Sequence, residues 1–211
     1  KVGTNKITLK EGGENPFTFV ENNETKTYSG GLLISADKES VSMTSAFGNT
    51  IDLSSDAYDE TNYQNVSAEL LKKAVSITGD VEDNVLTGGK GKDTLIGGDG
   101  SNTLRGGKGN DILWGGSPNE SYNNANTFVF WAGDGNDTIM DYNFEQGDML
   151  QILDKNGVTT RTYSKANFDG ESLKLTVKGG GKINFENVTA SSQFNINGET
   201  YRISENTLVK S

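Results

Sequence analysis

The sequence predicts an all-β fold built as a parallel β-solenoid, and three observations predict it. A Gly-Gly pair recurs every nine residues, at 88, 97, 106 and 115. The sixth position of the first three units holds an acid or its amide: Asp93, Asn102, Asp111. Two positions later stands Leu95, Leu104 or Leu113. A nine-residue unit is too short to fold alone, so each buries its one large side chain against its neighbours.

Composition agrees. The chain has 211 residues, only 32% of them hydrophobic, while Gly counts 27, nearly twice the usual ~7%. Its formal net charge of -10 disfavours nucleic acid, whose phosphates need a basic face, and suits cations. With Cys 0 and His 0, disulfides, thiolate metal sites and the commonest zinc ligand and general base are all excluded. No run approaches the ~18 apolar residues of a membrane span. The opening KVGTNKITLK is neither Met-initiated nor shaped like a secretory signal, and the chain reads as a piece of a larger protein.

Residues 1–78 form an N-terminal β-rich segment on this reading. ITLK (7–10), FTFV (17–20), LLIS (32–35), SVSMTS (40–45) and TIDLS (50–54) are its candidate strands. FGNTIDL resembles a degenerate solenoid unit. QNVSAELLKKAV reads as helical, with Ser67 as cap, Glu69 and Lys73 four apart, and Val66, Leu70 and Ala74 on one face. A strand reading of the same stretch stays open.

Residues 79–150 hold the repeats. The units are GDVEDNVLT (79–87), GGKGKDTLI (88–96), GGDGSNTLR (97–105) and GGKGNDILW (106–114). A fifth begins at Gly115-Gly116, is interrupted by SPNESYNN, and resumes as ANTFVF. AGDGNDTIM (132–140) is a sixth, and a fading seventh ends in GDMLQI. Six residues of turn and three of strand make half a coil. Leu86, Leu95, Leu104, Leu113, Phe128, Ile139 and Leu150 then point inward. One such side chain contributes roughly 1.5–3 kcal/mol, too little to order nine backbones at ~1–2 kcal/mol each. Metal meets the shortfall.

Residues 151–211 predict a β cap. SLKLTV and KINFENV flank KGGGK, and FNI and TYRIS flank Asn197-Gly198; both read as hairpins.

Glycine lets carbonyl oxygens turn toward one point, and the Asp adds a carboxylate from the same turn. Oxygen-only ligation selects a hard cation. Carbonyl donors with flexible geometry favour Ca2+ over magnesium.

These units resemble the repeats-in-toxin (RTX, hemolysin-type calcium-binding) nonapeptide, strongly over 79–150 and little over the first 60 residues. The resemblance implies a calcium-binding β-roll from the C-terminal region of a type I-secreted bacterial protein, with the secretion signal region near NINGETYRISENTLVKS. It implies that unit n stacks on unit n+2 with each ion between them. An even column then runs Asp93, Asp111, Asp137, and an odd column runs Asn84, Asn102, Asn126. Two ions are expected in the even column. The first would take carbonyls from Gly89, Gly91, Gly106 and Lys108, the second from Gly107, Gly109, Ala132 and Asp134. The odd column predicts weaker sites or an Asn ladder, with Asp80 and Asp99 as off-register substitutes, and Asp141 with Asp148 as a further site where the array ends.

The ninth positions Ile96, Trp114 and Met140, with Ile112, form an apolar outer face that the flanking strands are expected to cover. Other carboxylates, such as Glu120, Asp56, Asp59 and Glu60, read as solvated surface, and nothing places two of them in a catalytic cleft. The expected function is a secreted or cell-surface calcium-dependent module, not an enzyme, that folds on extracellular calcium and supports export by type I secretion machinery. The alternative is an adhesin-type module for a cell-surface or glycan ligand.

Overall fold

A computed structural model describes residues 17–21, 24–29, 32–35, 39–44, 48–54, 63–118, 124–159 and 163–211. The expected strand at 7–10 and the carboxylates at 56, 59, 60 and 120 lie outside them. The described residues form two facing sheets. In spatial order the first contains β1 (Phe17–Glu21), β2 (Glu24–Ser29), β3 (Leu32–Ile34), β4 (Ser40–Met43), β6 (Asn65–Ser67), β8 (Val85–Thr87), β10 (Thr103–Arg105), β12 (Thr127–Trp131), β14 (Met149–Leu153), β18 (Gln193–Ile196), β19 (Glu199–Ser204) and β20 (Thr207–Lys210). The second runs β15 (Tyr163–Phe168), β16 (Leu173–Val177), β17 (Lys182–Phe185), β13 (Asn136–Ile139), β11 (Ile112–Trp114), β9 (Thr94–Ile96), β7 (Ser76–Thr78) and β5 (Thr50–Asp52).

Successive half-coils alternate between the sheets, so each strand pairs in parallel with the one two units away. That alternation is the fold's whole logic. A three-residue strand offers one inward side chain, and stacking makes a continuous column of them. One column runs Val41, Val66, Leu86, Leu104, Phe128, Leu150, Ile196. The other runs Ile51, Ile77, Leu95, Leu113, Ile139, Phe185. All thirteen side chains are buried. The seven predicted inward residues are among them, and the columns continue past both ends of the 79–150 array.

The helical reading of 64–75 is wrong, and the strand reading holds for its first part. Asn65–Ser67 is a strand paired with β8, and a turn follows. Leu70, placed on the supposed apolar face, is 72% exposed, while Ala68, Leu71 and Val75 are buried. A short helix has little stability of its own, whereas the strand gains a neighbour that already presents Leu86. FGNTIDL does behave as a solenoid unit, since Ile51 stacks on Ile77.

Both predicted C-terminal hairpins form: β16 with β17, and β18 with β19. Each also adds its inner strand in parallel to the solenoid, β17 on β13 and β18 on β14. They therefore extend the sheets edgewise and do not cover the outer face. Ile96, Ile112, Trp114 and Met140 stay half-buried. At this end the interior fills with rings. Tyr142 stacks on Phe194 at 5.3 Å and meets Phe185 edge-on at 5.1 Å. Its hydroxyl donates to the Asp148 carbonyl and accepts from the Asn195 N–H, both at 2.8 Å. The two sheets meet beyond these rings, where Phe168 N–H donates to the Asn206 carbonyl at 2.9 Å.

Candidate metal centre

The sixth residue of each unit stands where the turn enters the strand, and its side chain reaches back to the coil before it. In the even column, Asp93 Oδ1 accepts the Val75 N–H at 2.9 Å, Asp111 Oδ1 the Asp93 N–H at 2.8 Å, and Asp137 Oδ1 the Asp111 N–H at 3.1 Å. In the odd column, Asn102 Oδ1 accepts the Asn84 N–H at 2.8 Å, Asn126 Oδ1 the Asn102 N–H at 2.9 Å, and Asp148 Oδ1 the Asn126 N–H at 2.7 Å. All six of these accepting side chains are buried. One oxygen per side chain thus locks each coil to the last in both columns.

The columns part at the second side-chain atom. Asn102 Nδ2 donates to the carbonyls of Asp99, Gly100 and Gly115 at 2.9, 3.2 and 3.3 Å. Asn84 Nδ2 and Asn126 Nδ2 donate to the carbonyls of Gln64 and Asn124. Here an amide gathers the carbonyls of the turn. A carboxylate cannot donate when ionised. Asp93 Oδ2 accepts the Gly89 N–H at 2.6 Å, but Asp111 Oδ2 is buried with no partner. An orphaned, ionisable oxygen inside a protein is costly unless something cationic reaches it.

Burial raises the carboxyls of Asp93, Asp111 and Asp137 above the ordinary range. Repulsion from Asp93 and Asp134 raises Asp111 further, and repulsion from Asp111 and Asp134 raises Asp137. Among the described residues no three acidic side chains converge on one point. A cation in this column would therefore draw one carboxylate per turn and take its other ligands from the main chain.

The main chain is shaped for that. A Cβ on Gly88 would lie 2.2 Å from the Gly106 carbonyl oxygen, and one on Gly107 would lie 2.4 Å from that of Gly89. At Gly109 and Gly135 the figures are 1.7 and 1.6 Å, against the carbonyls of Gly91 and Gly109. Gly107, Gly109 and Gly135 also hold positive φ of 89°, 140° and 134°, which glycine alone adopts without strain. Lys108 contributes backbone only: its N–H donates to the Gly89 carbonyl at 2.9 Å, and its side chain is exposed. The residues present fit a calcium ion, a hard cation that accepts carboxylate and carbonyl oxygen in irregular geometry.

The turn at Ala132 and Asp134 makes different main-chain hydrogen bonds from the even turns before it. Asp134 N–H donates to the Trp131 carbonyl in its own turn, and Ala132 N–H donates forward to Leu153. The Asp134 carbonyl stays with the turn below, accepting the Gly109 N–H at 2.7 Å. Its carboxylate is taken by Arg105, at 3.1 Å to Nε and 2.9 Å to Nη2. Sequence reading missed Arg105. The available signal was a pair of opposite departures from the pattern, a cation at a ninth position and Asp134 where Lys90 and Lys108 stand in the earlier even units.

At the array's end Asp141 and Asp148 also hold main-chain donors. Asp141 accepts the N–H groups of Gly115 and Gly116 at 2.9 and 2.8 Å, which pins the turn just before the insertion. Asp148 accepts the N–H of Asn143 at 2.8 Å as well as that of Asn126, and burial pushes its carboxyl up to about 6. Asp141 borders a cavity of about 220 Å³ with Trp114, Asn126, Asn143 and Gln146. Of the off-register substitutes, Asp80 Oδ1 accepts the Glu82 N–H, and Asp99 Oδ1 accepts the Gly100 N–H and the Asn124 amide.

The model of the RTX calcium-binding nonapeptide repeat matches residues 76–104, 96–117 and 129–140. Among solved structures, the AlgE6R3 subunit of the Azotobacter vinelandii mannuronan C5-epimerase is similar at 22% identity. The match covers 60% of this chain and 78% of that one with a TM-score of 0.41. The extracellular lipase LipA of Serratia marcescens is similar at 21% identity, with 82% of this chain and 24% of that one covered and a TM-score of 0.44. This chain therefore spans about a quarter of the lipase. No curated protein matches the chain. No helix of the described residues is long and apolar enough to cross a membrane.

Proposed function

We propose that this chain, which carries RTX calcium-binding nonapeptide repeats, is a secreted module whose folding is completed by extracellular calcium and which supports type I export of a larger protein. The observation that carries the reading is the unpartnered Asp111 Oδ2, buried between Asp93 and Asp137 in a column of carboxylates. Calcium supplies the positive charge that those carboxylates and the flanking Gly89, Gly91, Gly106, Gly107 and Gly109 lack. Asp93, Asp111 and Asp137 lock adjacent coils through Oδ1, so an ion bound at their second oxygens is linked to the stacking of every even turn. Binding that requires the folded turns adds its free energy to folding, growing as RT ln(1+[L]/Kd).

Where calcium is scarce the acidic chain is weakly folded and suited to threading through export machinery. Where calcium is abundant it folds and does not slide back. The test is native mass spectrometry and far-ultraviolet circular dichroism of chelated protein across a calcium titration. Two ions and a gain of β signal are expected. A chelated protein with unaltered spectrum and no bound calcium defeats the reading.

The half-buried outer row Ile96, Ile112, Trp114 and Met140 supports a second reading, an adhesive module whose sheet face meets a surface or glycan ligand. Retention on a glycan or peptide array that Trp114→Ala abolishes would favour it over a purely structural role.

A further inference from the structure

The third even turn is built unlike the two before it. In the turn at 106–109, Lys108 N–H donates back to the Gly89 carbonyl, and a Cβ on Gly107 would strike that same oxygen. In the turn at 132–135 the corresponding Asp134 N–H closes on Trp131, Gly133 N–H reaches forward to Gly180, and a Cβ on Gly133 would meet nothing within 4 Å. The first half of this turn therefore stands off the coil below. Its second half returns: the Asp134 carbonyl accepts the Gly109 N–H at 2.7 Å, and the Gly109 carbonyl accepts the Asn136 N–H at 3.0 Å.

A fork on the opposite sheet holds the turn at that point of return. Arg105, on β10, grips both oxygens of the Asp134 carboxylate, and Asp134 Oδ2 also accepts the Trp131 N–H at 2.9 Å. The guanidinium carbon lies 4.1 Å over the Trp131 ring, and Glu69 Oε1 stands 4.0 Å from Nη1. The Asp134 side chain is 5% exposed and that of Arg105 18%. A planar fork seated on an aromatic face and fastened to a buried carboxylate has one geometry. It turns the Asp134 carboxylate to the guanidinium and leaves the main-chain oxygen on Gly109.

We propose that Arg105 is a positioning residue for the cation site between the turns of Asp111 and Asp137, acting through Asp134 without touching the ion. The proposal rests on the calcium reading above. Charge and positioning make opposite demands. Arg105 is a cation, so by Coulomb's law its removal tightens calcium binding nearby, and removal of the Asp134 charge loosens it. If the fork positions the turn, both changes loosen it.

The experiment is isothermal calcium titration of the full chain, as wild type, Arg105→Gln, Arg105→Lys and Asp134→Asn. Each is repeated in an Asp93→Asn background, which weakens the other even site and isolates this one. Arg105→Gln and Asp134→Asn shift net charge in opposite directions. Both are expected to weaken one ion by about tenfold, the loss typical of groups that orient metal ligands, and to leave the other ion within about twofold of wild type on the same argument. Arg105→Lys keeps the charge, loses the fork, and falls between wild type and Arg105→Gln. Tighter or unchanged binding in Arg105→Gln overturns the proposal, as does equal weakening of both ions, which marks general destabilisation. Should Arg105→Gln fail to fold, Arg105→Lys decides the matter by the same criteria. A wild type that takes up no calcium overturns the calcium reading itself, and the clamp with it.

Discussion

The even and odd columns of this solenoid are the same device with one atom changed. Asp111 and Asn102 stand at equivalent positions, and each gives one oxygen to the N–H of the coil before it. At the second atom Asn102 carries an amide that donates to three carbonyls, while Asp111 carries an oxygen with nothing to bond. The odd column satisfies itself. On the calcium reading proposed above, a cation completes the even column at Asp111. On that reading a nitrogen-for-oxygen exchange divides a single architecture into a permanent half and a conditional half.

The strongest way to break this comparison is to remove calcium altogether. Each even-column ion at a hundredfold excess over its Kd contributes about 2.7 kcal/mol, so chelation is expected to lower the thermal midpoint steeply. Hydrogen exchange should show the loss first around the turns at 88–93, 106–111 and 132–137, with amides of the Asn102 ladder protected longest. Uniform loss of protection across both columns would contradict the division.

Asp111→Asn comes next, because Asp111 borders both expected even sites. It is expected to abolish tight binding of both ions. It should also raise the stability of the calcium-free protein by about 1–3 kcal/mol, since a buried unsatisfied oxygen becomes a donor. Denaturant melts with and without chelator measure both effects. A variant that loses calcium and gains no metal-free stability would show that Asn102 owes its hydrogen bonds to its surroundings and not to its amide.

The reverse exchange sharpens the picture. Asn102→Asp removes donations to Asp99, Gly100 and Gly115. It is expected to cost the calcium-free protein about 1–3 kcal/mol and to add one ion to the count by native mass spectrometry. An unchanged count would mean that the odd turns lack suitably placed carbonyls.

The comparison also has a pH dependence, and its sign differs between the two states. Asp93, Asp111 and Asp137 have carboxyls raised by burial above the ordinary 3.8. Their folded form holds protons that the unfolded chain releases. Calcium-free stability is therefore present in full below the unfolded value and is lost as pH climbs from 3.8 through neutrality. Calcium requires the ionised carboxylates, so its affinity rises over the same range. Melting midpoints measured across that range with and without calcium should move oppositely; parallel movement would count against burial as the cause.

Much of this was legible in the sequence wherever the period was intact. The nine-residue spacing placed Leu86, Leu95, Leu104 and Leu113 in the interior and sorted Asp93 and Asp111 from Asn84 and Asn102. Legibility failed where glycine pairs are absent. Val66 occupies the same inward position as the leucines, but its unit carries no Gly-Gly, and the spacing of residues 64–75 left helix and strand both open. It failed again for Arg105 and Asp134, a strand residue and a turn residue 29 positions apart, because no local rule joins a ninth position to a distant turn. The hairpins were read correctly from KGGGK and Asn197-Gly198. Their parallel docking on β13 and β14 depends on an edge that exists only after the coils have stacked.

The ring cluster of Tyr142, Phe185 and Phe194 carries a consequence for size. A stack of identical coils has no internal reason to stop, since every finished layer is a template for another, in the same molecule or the next. Here the last layers are wide aromatic plates, and the hairpins beyond them reverse direction until the two sheets touch at Phe168 and Asn206. A further parallel layer finds no matching ledge on that side. The aromatic plates and reversed strands close this end of the two sheets against another parallel coil.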